Sequence, residues 1–323
     1  MGTQISGSLR LLLAGLACLL LLTLAGCATQ TRTLLQGTSR DLPRRVELSS
    51  TPFHPQERHQ CGPATLAMSL NAAGIPVEPD VLVPQVYVPE RKGSLPPEML
   101  AAARRNGALA MTIPPRLDSL LAEIAAGNPV IVLQNLSLQL FPLWHYALAI
   151  GYDLDSGDVI LRSGTTERLA MPMSTFEHTW ARSGYWAMVA LAPGRLPVTA
   201  SESHVVDALV AFEKSSSTDR SRKAYEHALG KWPHNPILQM GIGNTAYAAG
   251  DLGAAAAAFR RASEERPDNA AGFNNLATVL AEMGDLDGAT EAAERAVAIG
   301  GPWRAAAQAT LESVRAERLR TGR

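Results

Sequence analysis

A 34-residue repeat near the C-terminus limits the folds that this part of the chain can adopt. Tyr225, Phe259 and Ala293 are each 34 residues apart, and Gly250-Asp251-Leu252 recurs at the same interval as Gly284-Asp285-Leu286. In such a repeat, small residues let helices cross closely, an aromatic side chain fills the gap, and Pro or Gly ends the second helix. The period predicts paired helices stacked into an all-α solenoid. A generic alanine-rich helical bundle is the alternative.

This pattern resembles the tetratricopeptide repeat. We predict three units at 202–234, 236–268 and 270–301, and the first matches mainly in its second helix. Residues 303–319 are amphipathic and charged, and they would cap the stack because a terminal repeat needs a polar outer face. Residues 201–319 are therefore assigned to a tetratricopeptide repeat domain. The resemblance implies a concave groove for a peptide or protein partner, but the repeat alone does not identify the partner.

The N-terminus has the features of a secretory signal. Arg10 precedes an almost wholly apolar run at residues 11–24, and small residues follow. The run is shorter than the roughly 20 residues that a membrane-spanning helix needs. An uncleaved membrane anchor is the alternative. Leu24-Ala25-Gly26-Cys27 resembles the lipobox of bacterial lipoproteins, which implies removal of residues 1–26 and a lipidated Cys27.

A lipidated Cys27 implies a protein held at a membrane by several acyl chains. Ala28 follows Cys27, and the Asp that favours inner-membrane retention of lipoproteins is not at that position. We therefore expect the bacterial outer membrane, with the protein facing the periplasm. Residues 27–50 are polar and without periodicity, and they are predicted to be a lipidated tether. The net charge of −1 and pI of about 6.7 offer no basic face for nucleic acid.

Cys61 is the one cysteine that neither the signal nor the lipid explains. The chain has three cysteines; Cys18 lies in the signal and Cys27 in the lipobox. Exported proteins favour disulfides, yet Cys61 then has no partner, so this thiol is either buried and inert or reactive. It lies where Gly62 and Pro63 open an apolar helix, and this setting favours a reactive thiol.

Residues 51–197 are predicted to form an α+β domain in which helices come first and a mostly antiparallel sheet follows. Apolar spacing and a following glycine predict helices at 62–73, 97–105 and 116–126. Apolar runs and turn residues predict strands at 130–133, 145–152, 158–162 and 185–191. Ser174 and Glu177 form a capping box for a further helix that continues to about Arg182.

A cysteine at a helix N-terminus lies in the positive end of the helix dipole, which stabilises the thiolate and lowers the thiol pKa. A cysteine nucleophile also needs a base, usually histidine, that the fold brings close. His145 lies 84 residues after Cys61, at the start of a predicted strand. The pair predicts a helix-borne Cys61 beside a strand-borne His145, which is the papain-like arrangement.

The segments around Cys61 and His145 together resemble the bacteriocin-processing, double-glycine-leader cysteine peptidases and their stand-alone relatives. The similarity covers roughly residues 52–191. It implies hydrolysis of peptide bonds, with Cys61 as the nucleophile and His145 as the general base. In that family a Gln upstream of the Cys helps to form the oxyanion hole. The candidate is Gln56, five residues before Cys61 where six are usual, and the backbone N–H of Cys61 could supply another donor.

The third member of the site departs from the family pattern. Family members typically carry Asp and then Pro after the second strand, where this chain has Ser163 and Gly164. Asp153 cannot substitute, because eight strand residues place it about 26 Å from His145. The hairpin instead folds Ser163 or Thr165 back beside His145.

A hydroxyl such as that of Ser163 can orient the imidazole, but it does not stabilise imidazolium as a carboxylate would. Three alternatives remain: a hydroxyl orients the base, a more distant group such as Glu167 intervenes, or the site is catalytically weak.

Other histidines and cofactor motifs give little further signal. His54 and His59 lie close to Cys61 in sequence and could tune the thiol, although solvated loop positions are favoured. Surface positions are expected for His178, His204, His227 and His234. The chain has no Cys pair or His pair at ligand spacing and no Gly-x-x-x-x-Gly-Lys phosphate loop, so no metal or cofactor is predicted.

The sequence thus predicts a periplasm-facing lipoprotein with two parts. A papain-like cysteine peptidase domain would hydrolyse peptide bonds in a peptide or protein substrate, and the tetratricopeptide repeats would bind a peptide or partner protein. One alternative is an inactive peptidase-like scaffold that binds peptides, motivated by Ser163. Another is a Cys–His acyl or amide transferase on the same fold.

Overall fold

A computed structural model of the protein describes residues 28–37, 42–56 and 60–322. The signal peptide, Cys27 and His59 lie outside these ranges. The first helices and strands are α1 (Thr29–Gln36), β1 (Arg45–Glu47), α2 (Cys61–Ala72), α3 (Pro79–Val86), β2 (Tyr87–Val88), β3 (Gly93–Ser94), α4 (Pro96–Arg105), β4 (Leu109–Thr112) and α5 (Leu117–Ala125). They are followed by β5 (Val130–Asn135), β6 (Trp144–Asp153), β7 (Asp158–Ser163), β8 (Thr166–Pro172), α6 (Met173–Ala181) and β9 (Ala187–Leu191).

The main sheet has seven antiparallel strands in the order β4-β9-β5-β6-β7-β8, with β1 paired to the far end of β6. Helices cover both faces. On one face Tyr146, Leu148 and Ile150 of β6 pack in the core that α2, α3 and α4 complete. On the other face Ala147 and Ala149 pack in the core beneath α5 and α6. Alternate residues of a strand face opposite sides, so β6 is apolar from Tyr146 to Ile150 because both sides are covered there.

The C-terminal part is entirely helical among the described residues. It contains α7 (Glu202–Glu213), α8 (Thr218–Lys231), α9 (Pro236–Ala248), α10 (Leu252–Glu265), α11 (Ala270–Glu282), α12 (Leu286–Ile299) and α13 (Arg304–Thr321). The three predicted helix pairs and the C-terminal helix are confirmed. No helix in the described ranges is both long and apolar enough to cross a membrane.

The repeated Gly-Asp-Leu motif forms the turn inside a helix pair. Gly250 and Gly284 have φ of +78° and +81°, a left-handed conformation that glycine adopts without strain. Asp251 and Asp285 then cap α10 and α12, because each side chain accepts a hydrogen bond from a backbone N–H three residues later. The motif thus ends one helix and starts the next.

The two parts of the chain share apolar contacts at their boundary. Val205, Leu209 and Phe212 of α7 belong to the same core as Leu109 and Leu191 of the sheet. Two domains were predicted from the composition change near residues 192–203, and this change lies in the connection between β9 and α7. The helix that follows the connection, α7, packs onto the sheet.

Residues 28–37 and 42–50, which the sequence predicted to be part of a tether, contribute to the fold. Leu34 of α1 is buried in the core, and β1 pairs with β6. The expectation of an unstructured tether is wrong for these residues. The sequence pattern missed α1 because a helix of eight residues is too short to show a clear period.

Glu177 explains how α1 is held. Its buried carboxylate accepts hydrogen bonds from the backbone N–H groups of Gln30 (3.0 Å) and Thr31 (2.7 Å). These are N–H groups of the first turn of α1, which have no partner within the helix. The predicted Ser174–Glu177 capping box is wrong: α6 begins after Pro172 without a side-chain cap, and Glu177 caps a different helix.

We expect Glu177→Ala to lower the free energy of holding α1 in place by about 2–3 kcal/mol, because it leaves two backbone donors without an acceptor. Hydrogen exchange of the Gln30 and Thr31 amides would measure this loss. Glu226→Ala removes an exposed ion pair with Arg222 and should cost less than about 0.5 kcal/mol. Equal protection of α1 in the two variants would contradict this account of Glu177.

Candidate active site

Cys61 is the first residue of α2, at the end of the helix that lies against β6. Gly62 allows this placement, because a Cβ at Gly62 would lie 2.2 Å from Ser94 Oγ and 2.6 Å from Ser94 Cβ. The start of α2 thus packs directly against β3. Cys61 is a free thiol and is partly buried.

His145 lies near the start of β6, and its Nε2 lies 2.9 Å from Ser163 Oγ at the end of β7. The antiparallel pairing of β6 with β7 brings the two side chains together. Of the two hydroxyl residues predicted to fold back beside His145, Ser163 and Thr165, it is Ser163 that contacts the imidazole. The hydrogen bond occupies one ring nitrogen and leaves Nδ1 for another group.

Cys61 and His145 line the same cleft, whose volume is about 840 Å³. One wall is the turn that contains Arg91 and Lys92, and the other is formed by residues at and just before the start of β6, including Leu143 and Trp144. A cleft of this size is in the range that proteins use for ligands. The fold therefore brings the predicted thiol and imidazole to one open site.

Burial shifts both groups towards their neutral forms. Burial raises the pKa of the Cys61 thiol above its ordinary value, and the nearby backbone amides of Tyr146, Gly62 and Cys61 offset this rise only in part. Burial also lowers the pKa of His145. The helix start was expected to give a lowered thiol pKa, and this expectation is wrong in net direction because the loss of solvation is the larger effect.

Gln56, the predicted oxyanion-hole residue, lines the same cleft as Cys61 and His145, and its side-chain amide is hydrogen-bonded within the protein. Its Nε2 donates to Thr65 Oγ1 (3.0 Å) and lies 3.4 Å from the Tyr146 carbonyl oxygen. Its Oε1 accepts from the Gly164 backbone N–H (3.0 Å). Gln56 therefore ties the residue after Ser163 to α2 and β6. The backbone N–H of Cys61, in the first turn of α2, remains the donor that the helix does not use.

The carboxylates considered as alternatives to Ser163 lie elsewhere. Asp153 is at the opposite end of β6, where it accepts from backbone N–H groups of the following turn and lies 3.4 Å from Arg45. Glu167 is exposed and lies 3.5 Å from Arg162. Among the alternatives named from the sequence, the structure favours orientation of His145 by a hydroxyl.

The remaining histidines lie away from the thiol. His54 Nε2 lies 3.1 Å from Asn71 Nδ2, ten residues along α2 from Cys61 and hence about 15 Å away. His178, His204, His227 and His234 are exposed, as predicted. Within the described ranges no three residues among His, Cys, Asp and Glu are grouped as a metal site would require.

Sequence reasoning missed two contributors to the cleft. Ser94 comes from the short β2–β3 hairpin, and the residues before β6 form an apolar wall. The hairpin strands have only two residues each, which is too few for a period. The wall could have been found, because Leu136 to Trp144 contains no charged residue and yet includes Pro142, which disfavours a continuous strand.

Two family models match the chain. Residues 48–188 match the Peptidase_C39 like family, and residues 207–270 and 240–308 match the tetratricopeptide repeat. The chain therefore carries a peptidase C39-like domain followed by tetratricopeptide repeats. These are the two families that the sequence motifs indicated.

No curated protein matches the chain. Solved structures with similarity include a protein from Bacillus anthracis described as a C39-like peptidase, which is 20% identical with a TM-score of 0.39; the match covers 46% of this chain and 98% of that one. They also include the Sgt2 tetratricopeptide domain from Aspergillus fumigatus, which is 21% identical with a TM-score of 0.34, over 38% of this chain and 81% of that one.

The raised thiol pKa makes a testable prediction for the reactivity of Cys61. Because the thiolate is the nucleophile, alkylation by iodoacetamide should be slow at pH 7 and should still be rising above about pH 8.5, the ordinary cysteine pKa. The rate measured against pH would show this directly. A rate that has already levelled off near neutral pH would contradict the neutral thiol.

Two variants at position 163 test whether the lack of a negative charge beside His145 is the cause of the slow alkylation expected for Cys61. Ser163→Asp would place a carboxylate beside His145 Nε2, raise the pKa of the imidazole and so stabilise a thiolate–imidazolium pair; we expect about tenfold faster alkylation at pH 7. Ser163→Asn keeps a polar side chain without the charge and should leave the pH profile unchanged. A matching gain in the two variants would show that charge is not the missing factor.

Proposed function

We propose that the peptidase C39-like domain is a cysteine peptidase that hydrolyses peptide bonds through Cys61 and His145. The observation that carries the proposal is the arrangement in the cleft. Both side chains line it, and Ser163 holds the imidazole by Nε2 so that Nδ1 is left for the thiol. An extended peptide in the cleft would meet the thiol at the start of α2.

The pKa shifts favour a reaction that begins from a neutral pair. As the Cys61 sulfur bonds to the carbonyl carbon, His145 takes the thiol proton. His145 then gives this proton to the amine nitrogen as the C–N bond breaks, which leaves a thioester. Water attacks the thioester while His145 takes one of its protons, and the carboxylic acid and the thiol are released. The backbone N–H of Cys61 would stabilise the oxyanion.

Cleavage of a peptide pool, followed by mass spectrometry, tests this mechanism. We expect Cys61→Ser to abolish cleavage and His145→Ala to reduce it by about 100-fold or more, since a general base contributes 10²–10⁴-fold. His54→Ala is the matched control, because His54 lies at the other end of α2, and it should retain cleavage. Equal turnover by wild type and His145→Ala would exclude His145 as the base.

A second candidate is peptide binding without cleavage. It is favoured by one specific observation: both ionisable groups are shifted towards neutrality and Ser163 supplies no charge to reverse this. Wild-type protein that binds the peptide pool and leaves it intact over long incubation would support this candidate over the peptidase.

The tetratricopeptide repeats are proposed to bind a peptide or protein partner. A groove of about 560 Å³ runs between α10, α11 and α12. It combines apolar residues with charges of both signs, and Arg295 lies 5.9 Å from the Phe273 ring centroid. The residues that line it include Arg260, Phe273, Leu276, Leu280, Glu291 and Arg295.

We further propose that the protein is a lipoprotein anchored through Cys27 to the outer membrane and facing the periplasm. The lipobox-like Leu24-Ala25-Gly26-Cys27 supports this. Labelled palmitate should be incorporated by cells that produce the wild-type chain, and Cys27→Ser should abolish incorporation. Label that persists in Cys27→Ser would refute lipidation at this residue.

A further inference from the structure

A loop beside the cleft exposes an unusual amount of apolar surface. We call residues 136–144 the apolar loop; they comprise the connection between β5 and β6 and the first residue of β6, Trp144. Leu140 and Phe141 at its tip are 86% and 75% exposed. Single exposed apolar residues are common in proteins, but a contiguous group of this kind marks a surface that meets something else. The large apolar side chains of the loop that are exposed are Leu136, Leu138, Leu140, Phe141, Leu143 and Trp144.

The backbone of the apolar loop is tied down by hydrogen bonds. The buried side chain of Asn135 accepts from the backbone N–H groups of Ser137 (3.0 Å) and Leu143 (2.9 Å). Arg182, at the end of α6, donates to the carbonyl oxygens of Asn135 (3.0 Å) and Ser137 (2.8 Å). The fold therefore fixes this loop at its base while its apolar side chains point to solvent.

The N-terminal end of α1 lies on the side of the domain where the apolar loop is. Helix α6 runs from Met173, whose N–H donates to the carbonyl of Gly157, to Arg182 at the loop. Helix α1 runs the opposite way: its first turn is bound by Glu177, whereas Leu35 near its end lies beside Gly157. The first turn of α1, where the described chain starts, is therefore the end of α1 that lies nearer the apolar loop.

The first turn of α1 and the base of the apolar loop are held by residues that lie close together on α6. Glu177, which binds the first turn of α1, lies five residues before Arg182, which is about 7.5 Å along a helix. Cys27 precedes α1 by two residues. A lipid on Cys27 would therefore join the fold within a few residues of the place where the apolar loop is anchored.

We infer that the apolar loop inserts into the interfacial region of a lipid bilayer, as a second membrane contact beside the proposed anchor at Cys27. The composition fits this region, because Trp, Phe and Leu without charges enter the boundary between headgroups and acyl chains. The inference rests in part on the proposed anchoring, and it does not depend on peptide hydrolysis.

A bilayer fits the tip of the loop better than a peptide in the cleft does. Leu136, Leu143 and Trp144 line the cleft. Leu138, Leu140 and Phe141 are not among the described residues that line it. These three side chains are exposed to solvent outside the cleft. A membrane contact accounts for both the exposed tip and the direction of α1, whereas a peptide contact accounts for neither.

The inferred contact also positions the cleft. The residues that enter the bilayer and those that line the cleft are neighbours in one loop, so the mouth of the cleft would lie at the membrane surface. Arg91 and Lys92 on the opposite wall are exposed and would face the headgroup layer. The substrate would then be a peptide segment presented close to a bilayer.

Flotation with phosphatidylcholine and phosphatidylglycerol vesicles tests the contact. The chain from residue 28 onward is suitable, because it contains every described helix and strand and no Cys27 to carry lipid. We expect wild type to float with the vesicles and Leu140→Gln/Phe141→Gln to lose at least about tenfold in partition. Leu319→Gln is the matched control, because Leu319 is also 86% exposed but lies in α13, and it should float as wild type does.

Trp144 reports the depth of insertion. With lipids brominated along their acyl chains, we expect Trp144 emission to be quenched in wild type and in Trp303→Phe, and this quenched component to be lost in Trp144→Phe. Trp144 and Trp303 are 49% and 44% exposed, so they differ mainly in position. Unchanged melting temperatures would show that the substitutions leave the fold intact.

Several results would overturn the inference. Vesicle flotation that is absent, or equal in wild type and the loop variant, would reject it. Self-association reversed by the loop variant without vesicle binding would assign the surface to a second copy of the chain. Altered peptide cleavage without vesicle binding would make the loop a substrate wall. The flotation itself uses neither the Cys61 thiol nor a lipid on Cys27, so its failure is separate from failure of the proposed peptidase or anchor.

Discussion

Burial of β6 on both faces is the constraint on which the rest of the peptidase C39-like domain depends. Tyr146, Leu148 and Ile150 face one core, and Ala147 and Ala149 face the other. A shift of one residue would exchange large and small side chains between the two cores, so the register is strongly fixed. This register is also what carries His145 to the end of the sheet where β7 ends and α2 begins. The site is thus a consequence of core packing rather than a separate arrangement on a loop.

Ser163 orients the His145 imidazole but adds no charge to the site. Arg162, immediately before Ser163, is buried and donates to the carbonyl oxygens of Ser49, Thr51 and Glu167, which fixes the end of β7. Gln56 holds the Gly164 N–H on the other side. The chain on both sides of Ser163 is therefore held in position by hydrogen bonds. A carboxylate at this position would add a negative charge, whereas the Ser163 hydroxyl does not offset the burial that raises the pKa of Cys61 and lowers that of His145.

Features with local sequence signals could be predicted, and features set by distant contacts could not. The repeats, the helix that begins at Cys61 and the strand that carries His145 all have periodic or capping patterns within a few residues. Glu177 also seemed to have a local signal, three residues after Ser174, but its partners are 146 and 147 residues away. Likewise the helix start at Cys61 predicted a lowered thiol pKa, and the opposing burial comes from residues that only the fold brings near.

Helix α6 joins features that the sequence keeps far apart. Glu177 binds the first turn of α1, the side chain of Thr179 accepts a hydrogen bond from Gln134 of β5 (2.7 Å), and Arg182 binds the base of the apolar loop. A force on the chain ahead of α1 would therefore act on the same short helix that supports one wall of the cleft. The proposed anchor at Cys27, connected in this way, would restrict how the cleft can turn relative to a membrane, which a long flexible tether would not do. For the proposed peptidase, the selection of substrates would then depend on where the cleft faces as well as on what it contacts.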